Sequence, residues 1–311
     1  MQVASLLSFI SLAVIATAVP TTCRSLSNAV AKDIKPEEVT YMISFGDSYS
    51  QTGFNLAGDK PSAKNPIGNP PLPGWTASGG YNWVGFAAST FNANTLLSYN
   101  LAYGGATTAS DLVKPFSPEV KTFQDQVGDF SAQLAPKPSW APWTANNTLA
   151  TVWIGVNDVG NSFWGSDTDQ LYEKIMARYF AQLETLYDAG VRQFVLLGTP
   201  PIGRTPSLVA QGQSTIDRVT KAIAVYNKLL SQHLKHFETV HSDVKAWLID
   251  TTPSFNEALE NPTQYGAPDA TCYNGDGKSC LWFNDYHPGV AIQKLVAQKV
   301  AVTVGMPFFK A

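Results

Sequence analysis

The sequence predicts an α/β protein of three layers, with a parallel sheet between two layers of helices. Three observations carry that prediction. Strand-like and helix-like segments alternate along the chain, which is the signature of parallel βαβ units. The first three strand-like segments each run into a glycine-bearing turn. No internal repeat, low-complexity tract or linker interrupts residues 39–311, so they read as one domain.

The first strand is predicted at Thr40–Phe45, from the run Tyr41-Met42-Ile43-Ser44-Phe45. It stops abruptly at Gly46-Asp47-Ser48. The stretch "AGDKPSAKNPIGNPPLPGWTASGGYNW" then follows, so crowded with Pro and Gly that regular structure is not expected. A loop of that length in a compact domain is usually functional or disordered, and this one carries Trp75. Trp83 sits on the apolar run "NWVGFAA" and reads as core. A second strand is expected at Thr95–Leu101, with Gly104-Gly105 after it. A third is expected at Ala150–Ile154, with Gly155-Val156-Asn157-Asp158 and the pair Phe163-Trp164 beyond.

The clearest helix runs from about Thr168 to Ala189. Ser166 and Asp167 can cap it, and Gly190 ends it. Leu171, Ile175, Tyr179, Leu183 and Leu186 recur at helical spacing. Strands at Arg192–Leu197 and Val244–Ile249 flank a helix over about Thr215 to Val240. A last helix covers about Val290 to Val302. In such sheets, sites form outside the carboxyl ends of the strands, which is where Ser48 would lie.

The flanks and composition narrow the function. Residues 1–18 are apolar, end in Ala16-Thr17-Ala18 and read as a secretory signal, although no Lys or Arg precedes the apolar run. Residues 19–38 are polar and aperiodic, a loosely held lead-in. Secretion implies an oxidising compartment. Cys272 and Cys280 flank "YNGDGKS", a turn-rich stretch able to close a short loop, and are predicted to form a disulfide. That leaves Cys23 without an assigned role. Asn146 heads the one glycosylation acceptor, Asn146-Asn147-Thr148, in a surface-loop setting. The formal net charge is −3 with no basic stripe, which argues against a nucleic-acid partner. It also gives no electrostatic reason to sit on an anionic membrane.

A serine hydrolase needs a base beside the serine, a group to orient the base, and donors for the oxyanion. The chain has 4 histidines, so the search for a base is short. His233, His236 and His241 lie on or just after one polar helix. They read as a solvated face rather than a metal site, because no acidic or cysteine ligands accompany them. His287 sits in "LWFNDYHPGV", immediately before the last helix, a good mounting for a catalytic base. Asp285 and Asn284 precede it.

Four blocks, "FGDSYS", "NLAYGGA", "GVND" and "NDYHP", stand in the order of the SGNH, or GDSL, hydrolase superfamily, which this chain resembles over essentially its whole length after the lead-in. The resemblance implies a flavodoxin-like α/β/α sandwich and a Ser48 nucleophile. It implies an oxyanion hole made by the backbone N–H groups of Ser48 and Gly105 and the side-chain amide of Asn157, with His287 as general base. It implies no metal and no cofactor. One departure stands out. The superfamily places Asp three residues before the His, and this chain has Asn284 there. Either Asn284 or Asp285 could orient His287. The parity of an extended strand, which puts alternate side chains on one face, favours Asp285.

The phrases "FNLAG", "GWTASGGYNWV", "AYGGATT" and "FNDYHPGVA" most resemble secreted fungal acetylesterases of carbohydrate esterase family sixteen. That resemblance implies a secreted esterase that deacetylates hemicellulose fragments, with Trp75 and Trp164 available to stack on sugar rings. A monomer is expected. A lipid-directed lipase, phospholipase or acyltransferase of the same superfamily is the second reading. A carbohydrate-binding protein without turnover is the third.

Overall fold

A computed structural model describes residues 39–310. Five strands form one all-parallel sheet: β1 (Thr40–Gly46), β2 (Leu96–Asn100), β3 (Thr148–Trp153), β4 (Gln193–Leu197) and β5 (Lys245–Ile249). Their spatial order is β2-β1-β3-β4-β5, the flavodoxin-like order expected. Every residue of β1 and of β3 is buried. Strands covered on both faces read as continuous apolar runs, which is why these two were legible. Each fully buried Leu, Ile or Phe contributes about 1.5–3 kcal/mol of transfer free energy. β5 closes one edge, where the exposed Lys245 opposes edge-to-edge pairing.

Eight α-helices are present among the described residues: α1 (Trp83–Ser89), α2 (Phe123–Gln133), α3 (Val156–Gly160), α4 (Thr168–Asp188), α5 (Pro206–Val209), α6 (Gln213–Val240), α7 (Thr252–Glu260) and α8 (Val290–Val304). One layer joins α1, α7 and α8, and the other joins α2, α4 and α6. In α4 the buried residues Tyr172, Ile175, Met176, Tyr179, Phe180, Leu183 and Leu186 make one stripe at helical spacing. Asp167 occupies the N-cap position, but its side chain makes no capping bond. Ser166 Oγ bonds that carboxylate instead, at 3.2 Å. Gly190 stands just past the helix end at φ +106°, in the left-handed region.

The reading of residues 1–18 as a signal, the lead-in 19–38 and Cys23 all lie outside the described residues. The long Pro/Gly loop carries neither helix nor strand. Trp83 is fully buried, as core. Cys272 and Cys280 are joined, with Cα atoms 5.2 Å apart, and close the loop that leads towards His287. Asn146 is exposed just before β3. His233 and His241 face single glutamates, Glu173 at 3.3 Å and Glu184 at 2.8 Å.

Candidate active site

Three turns at the carboxyl edge of the sheet meet a fourth from the far end of the chain. β1 ends at Gly46, which buried Gln126 of α2 grips at both polar atoms. Gly46 N donates to Gln126 Oε1 at 2.9 Å, and Gln126 Nε2 donates to Gly46 O at 2.8 Å. The chain then makes one tight turn, with Ser50 N and Gln51 N both donating to Asp47 O. Asp47 Oδ1 accepts from Tyr49 N at 3.0 Å and so pins the turn from inside. Ser48 is the half-exposed residue of this otherwise buried segment. The next residues are held by buried amides: Asn82 and Asn100 both donate to Ser50 O, at 2.8 and 2.6 Å.

His287 Nε2 lies 2.8 Å from Ser48 Oγ. Its other nitrogen, Nδ1, lies 3.0 Å from Asn284 Oδ1. The same oxygen accepts from the backbone N–H groups of Tyr286 and His287, at 2.9 and 2.8 Å. An atom that receives two backbone N–H groups is the carbonyl oxygen of the amide, not its NH2. Nδ1 must therefore carry the ring hydrogen, which leaves Nε2 bare and aimed at the serine hydroxyl.

The expectation that Asp285 would meet His287 is thus corrected. It assumed extended chain. Residues 283–287 instead form a compact turn, closed by Phe283 N donating to His287 O at 2.8 Å. Within that turn the Asn284 side chain folds back over the next residues and meets the His287 ring three positions on. Asp285 is exposed, and its backbone carbonyl accepts from Ser207 N at 2.8 Å. Its charge still acts at a distance. Burial lowers the His287 pKa to about 4, and Asp285 partly opposes that shift. Tyr49, missed in the sequence, ties the two halves together: its hydroxyl donates to Tyr286 O at 2.6 Å.

Gly105 comes from the turn after β2, and Asn157 from the first turn of α3, just past β3. Gly105 adopts φ +80°, and a Cβ there would collide with the Phe116 side chain, so only glycine fits. Asn157 Nδ2 donates one hydrogen to Ala106 O at 2.8 Å, leaving the other for a ligand. Buried Asp158 locks these turns to each other. Its carboxylate accepts from Thr108 N at 3.0 and 3.1 Å and from Thr108 Oγ1 at 3.2 Å. Burial pushes the pKa of both Asp158 and Asp47 up to about 7. Nothing in the sequence marked Gln126 or the Thr108 contact, because each bridges a long separation.

Ser48, Gly105, Asn157 and His287 all line one cavity of about 580 Å³, together with Phe116, Trp164 and Leu208. Trp164, 59% exposed, is thus one wall of that cavity. Trp75 is not. It lines a separate hollow beside Gln51 and Tyr103, because its loop folds back on Thr52, whose carbonyl accepts from Trp75 N at 2.8 Å. Among the described residues, no cluster of three or more His, Cys, Asp or Glu is arranged to hold a metal ion.

Residues 42–300 match the family model described as GDSL-like Lipase/Acylhydrolase. The chain is 58% identical over 277 residues to an acetylesterase of Thermothelomyces thermophilus, covering 88% of this chain and 91% of that protein. It is 24% identical to an acetylesterase of Hypocrea jecorina, over the same shares of the two chains. Among solved structures, a mutant acetyl-xylooligosaccharide esterase from Geobacillus shares the fold at a TM-score of 0.53 and 14% identity, covering 88% of this chain and 97% of that one. Fold and site together define a carboxylic ester hydrolase. The chain belongs to the GDSL-like lipase/acylhydrolase family.

Proposed function

We propose that this protein is a secreted acetylesterase that removes acetyl groups from sugars, with Ser48 as nucleophile and His287 as base. The observation that carries the reading is the relay Asn284 Oδ1, His287 Nδ1, His287 Nε2, Ser48 Oγ, with contacts of 3.0 and 2.8 Å. His287 Nε2 takes the hydroxyl proton as Ser48 Oγ bonds to the ester carbonyl carbon. The carbonyl oxygen becomes an oxyanion, stabilised by the N–H groups of Ser48 and Gly105 and the free amide hydrogen of Asn157. Loss of one such donor typically costs about 3 kcal/mol of transition-state stabilisation. The tetrahedral centre collapses, the C–O bond to the sugar breaks, and the imidazolium protonates the leaving sugar oxygen. Water then attacks the acetyl-enzyme with His287 again as base, the Ser48 Oγ–acyl bond breaks, and acetate leaves as the imidazolium returns a proton to Ser48.

Asn284 holds the correct tautomer but adds no charge to steady the imidazolium, so the site works with a geometric rather than an electrostatic third member. The acetylesterases of the two fungi named above support the acyl group. The Geobacillus protein, an acetyl-xylooligosaccharide esterase of the same fold, supports an acetylated sugar chain as substrate. Secretion is supported by the apolar residues 1–18 and by the Cys272–Cys280 bond. No helix among the described residues is long and apolar enough to cross a membrane. Asn146 is exposed and open to a glycan.

The test is hydrolysis of 4-nitrophenyl esters of increasing acyl length by the native protein and by Ser48→Ala. The native protein should prefer acetate and label with a fluorophosphonate. Ser48→Ala should lose at least about ten-thousandfold in kcat and all labelling. Residual activity within about tenfold of native would refute Ser48 as nucleophile. A preference for long acyl chains would favour the lipase reading.

A further inference from the structure

The hollow that holds Trp75 lies beside the Ser48 cavity at the same carboxyl edge and encloses about 500 Å³. The two share no lining residue, yet one peptide separates them: Tyr103 lines the hollow and Gly104 lines the cavity. Gln51, also in the hollow, bridges the boundary by accepting the Gly104 N–H through its side-chain oxygen.

The sheet order fixes where these features stand. Tyr103 follows β2, Ser48 follows β1 and Trp164 follows β3, and the strands lie side by side in that order. Neighbouring strands stand about 4.8 Å apart. Tyr103 therefore stands on the β2 side of the nucleophile, and Trp164 lines the cavity itself. Two adjoining recesses suit a short chain of sugar rings better than one acetylated ring.

Trp75 is 71% exposed, so a broad apolar face stands open beside the amide groups of the hollow. It is also held in place. Its backbone N–H is bonded to Thr52, and its ring lies so close over Gly53 that a Cβ there would stand 2.9 Å from it. A seated ring with an open face loses little freedom on binding. The remaining lining is mixed, with Phe54, Leu56, Leu101 and Tyr103 on its apolar side. Gln51, Asn55 and Gln133 offer amide groups, and Lys121 is paired with Asp129 at 2.5 Å. That mixture of apolar faces, amides and a neutralised ion pair fits an uncharged sugar ring, which carries both an apolar face and hydroxyls.

We infer that the Trp75 hollow is a second sugar subsite, which takes a neutral pyranose ring of the same oligosaccharide whose acetyl group enters the Ser48 cavity. The inference rests on the acetylesterase reading above and deepens it: the preferred substrate is an oligomer. The ring stacks on Trp75, its hydroxyls meet Gln51 and Gln133, and the connecting glycosidic bond passes over the Tyr103–Gly104 turn.

The test compares kcat/KM for acetylated xylotetraose with that for 4-nitrophenyl acetate, which cannot reach the hollow. Trp75→Ala should lower the ratio about tenfold, through KM rather than kcat, as expected when a stacking contact made equally in ground and transition states is lost. Trp75→Tyr, which keeps an aromatic face, should restore most of it. Gln133→Ala, an exposed change at the end of α2, should lower the ratio severalfold and does not depend on Trp75→Ala folding. Ratios within twofold of native in Trp75→Ala, or in Gln133→Ala should the first not fold, would overturn the subsite. A native protein that cleaves neither ester would instead overturn the esterase reading beneath it.

Discussion

Replacing Asn284 with aspartate changes one charge at the point where the base is held. In the native site a neutral amide oxygen lies 3.0 Å from His287 Nδ1, and burial has already lowered the ring's pKa to about 4. The two backbone N–H groups that meet Asn284 Oδ1, at 2.8 and 2.9 Å, would also keep a carboxylate ionised there. Two unit charges about 4 Å apart interact by about 4 kcal/mol at an effective dielectric of 20. Position 284 is half-exposed, so solvent screens part of that. A net gain of about 2 kcal/mol for the imidazolium remains, or about 1.5 pKa units. The base must be neutral to act, so activity falls as pH drops through its pKa. Asn284→Asp should therefore shift the acid limb of kcat/KM from about 4 to between about 5 and 6. The variant should lose activity relative to native near pH 5 and gain severalfold near pH 8, where a stronger base serves better. The assay is 4-nitrophenyl acetate hydrolysis from pH 3.5 to 9, with folding followed by circular dichroism. An acid limb unmoved in a folded variant would refute the tautomer argument, since it would mean that residue 284 does not face Nδ1.

Asp158→Ala removes the acceptor shared by Thr108 N and Oγ1, so it should cost about 1–3 kcal/mol in urea unfolding. It should also lower kcat about a hundredfold with KM little changed, because the turns that carry Gly105 and Asn157 lose their common anchor. Stability should fall as pH rises between about 4 and 7. Asp47 and Asp158, pushed up to about 7 by burial, keep protons in the folded state that the unfolded chain gives up. His287, lowered to about 4, acts the other way below about 6.5, and two carboxylates against one imidazole leave a net loss of at most about 1.4 kcal/mol per pH unit. Calorimetry from pH 4.5 to 8 checks this, and a melting temperature that climbs with pH across that window would contradict it.

The sheet was legible because β1 and β3 are buried on both faces, so apolar residues dominate them with only Ser44 and Thr151 interrupting. α4 and α6 were legible because they are long and carry one apolar stripe. The short α1, α2 and α7 were not, since seven to eleven residues give a periodicity too few turns to declare itself. The contact between Ser48 and His287 was expected, and the structure brings them together. The partner of His287 was misread, because strand parity was applied to a segment that bends. A signal was available: Asn is a favoured opener of turns through its side-chain oxygen, and Pro288 closes the segment. Trp75 was read from its type alone, and sequence carries no record of which side of the Gly104 turn its loop would take.

The Tyr49 hydroxyl that holds Tyr286 O belongs to the residue next to the nucleophile, while the carbonyl belongs to the residue next to the base. Ser48 and His287 stand 239 positions apart. During synthesis the serine is made long before the histidine, and under the proposed roles its hydroxyl would have no base until the later segment docks on Tyr49. The unfinished chain would then be inert towards esters, and activity would wait for the closing turn of the fold.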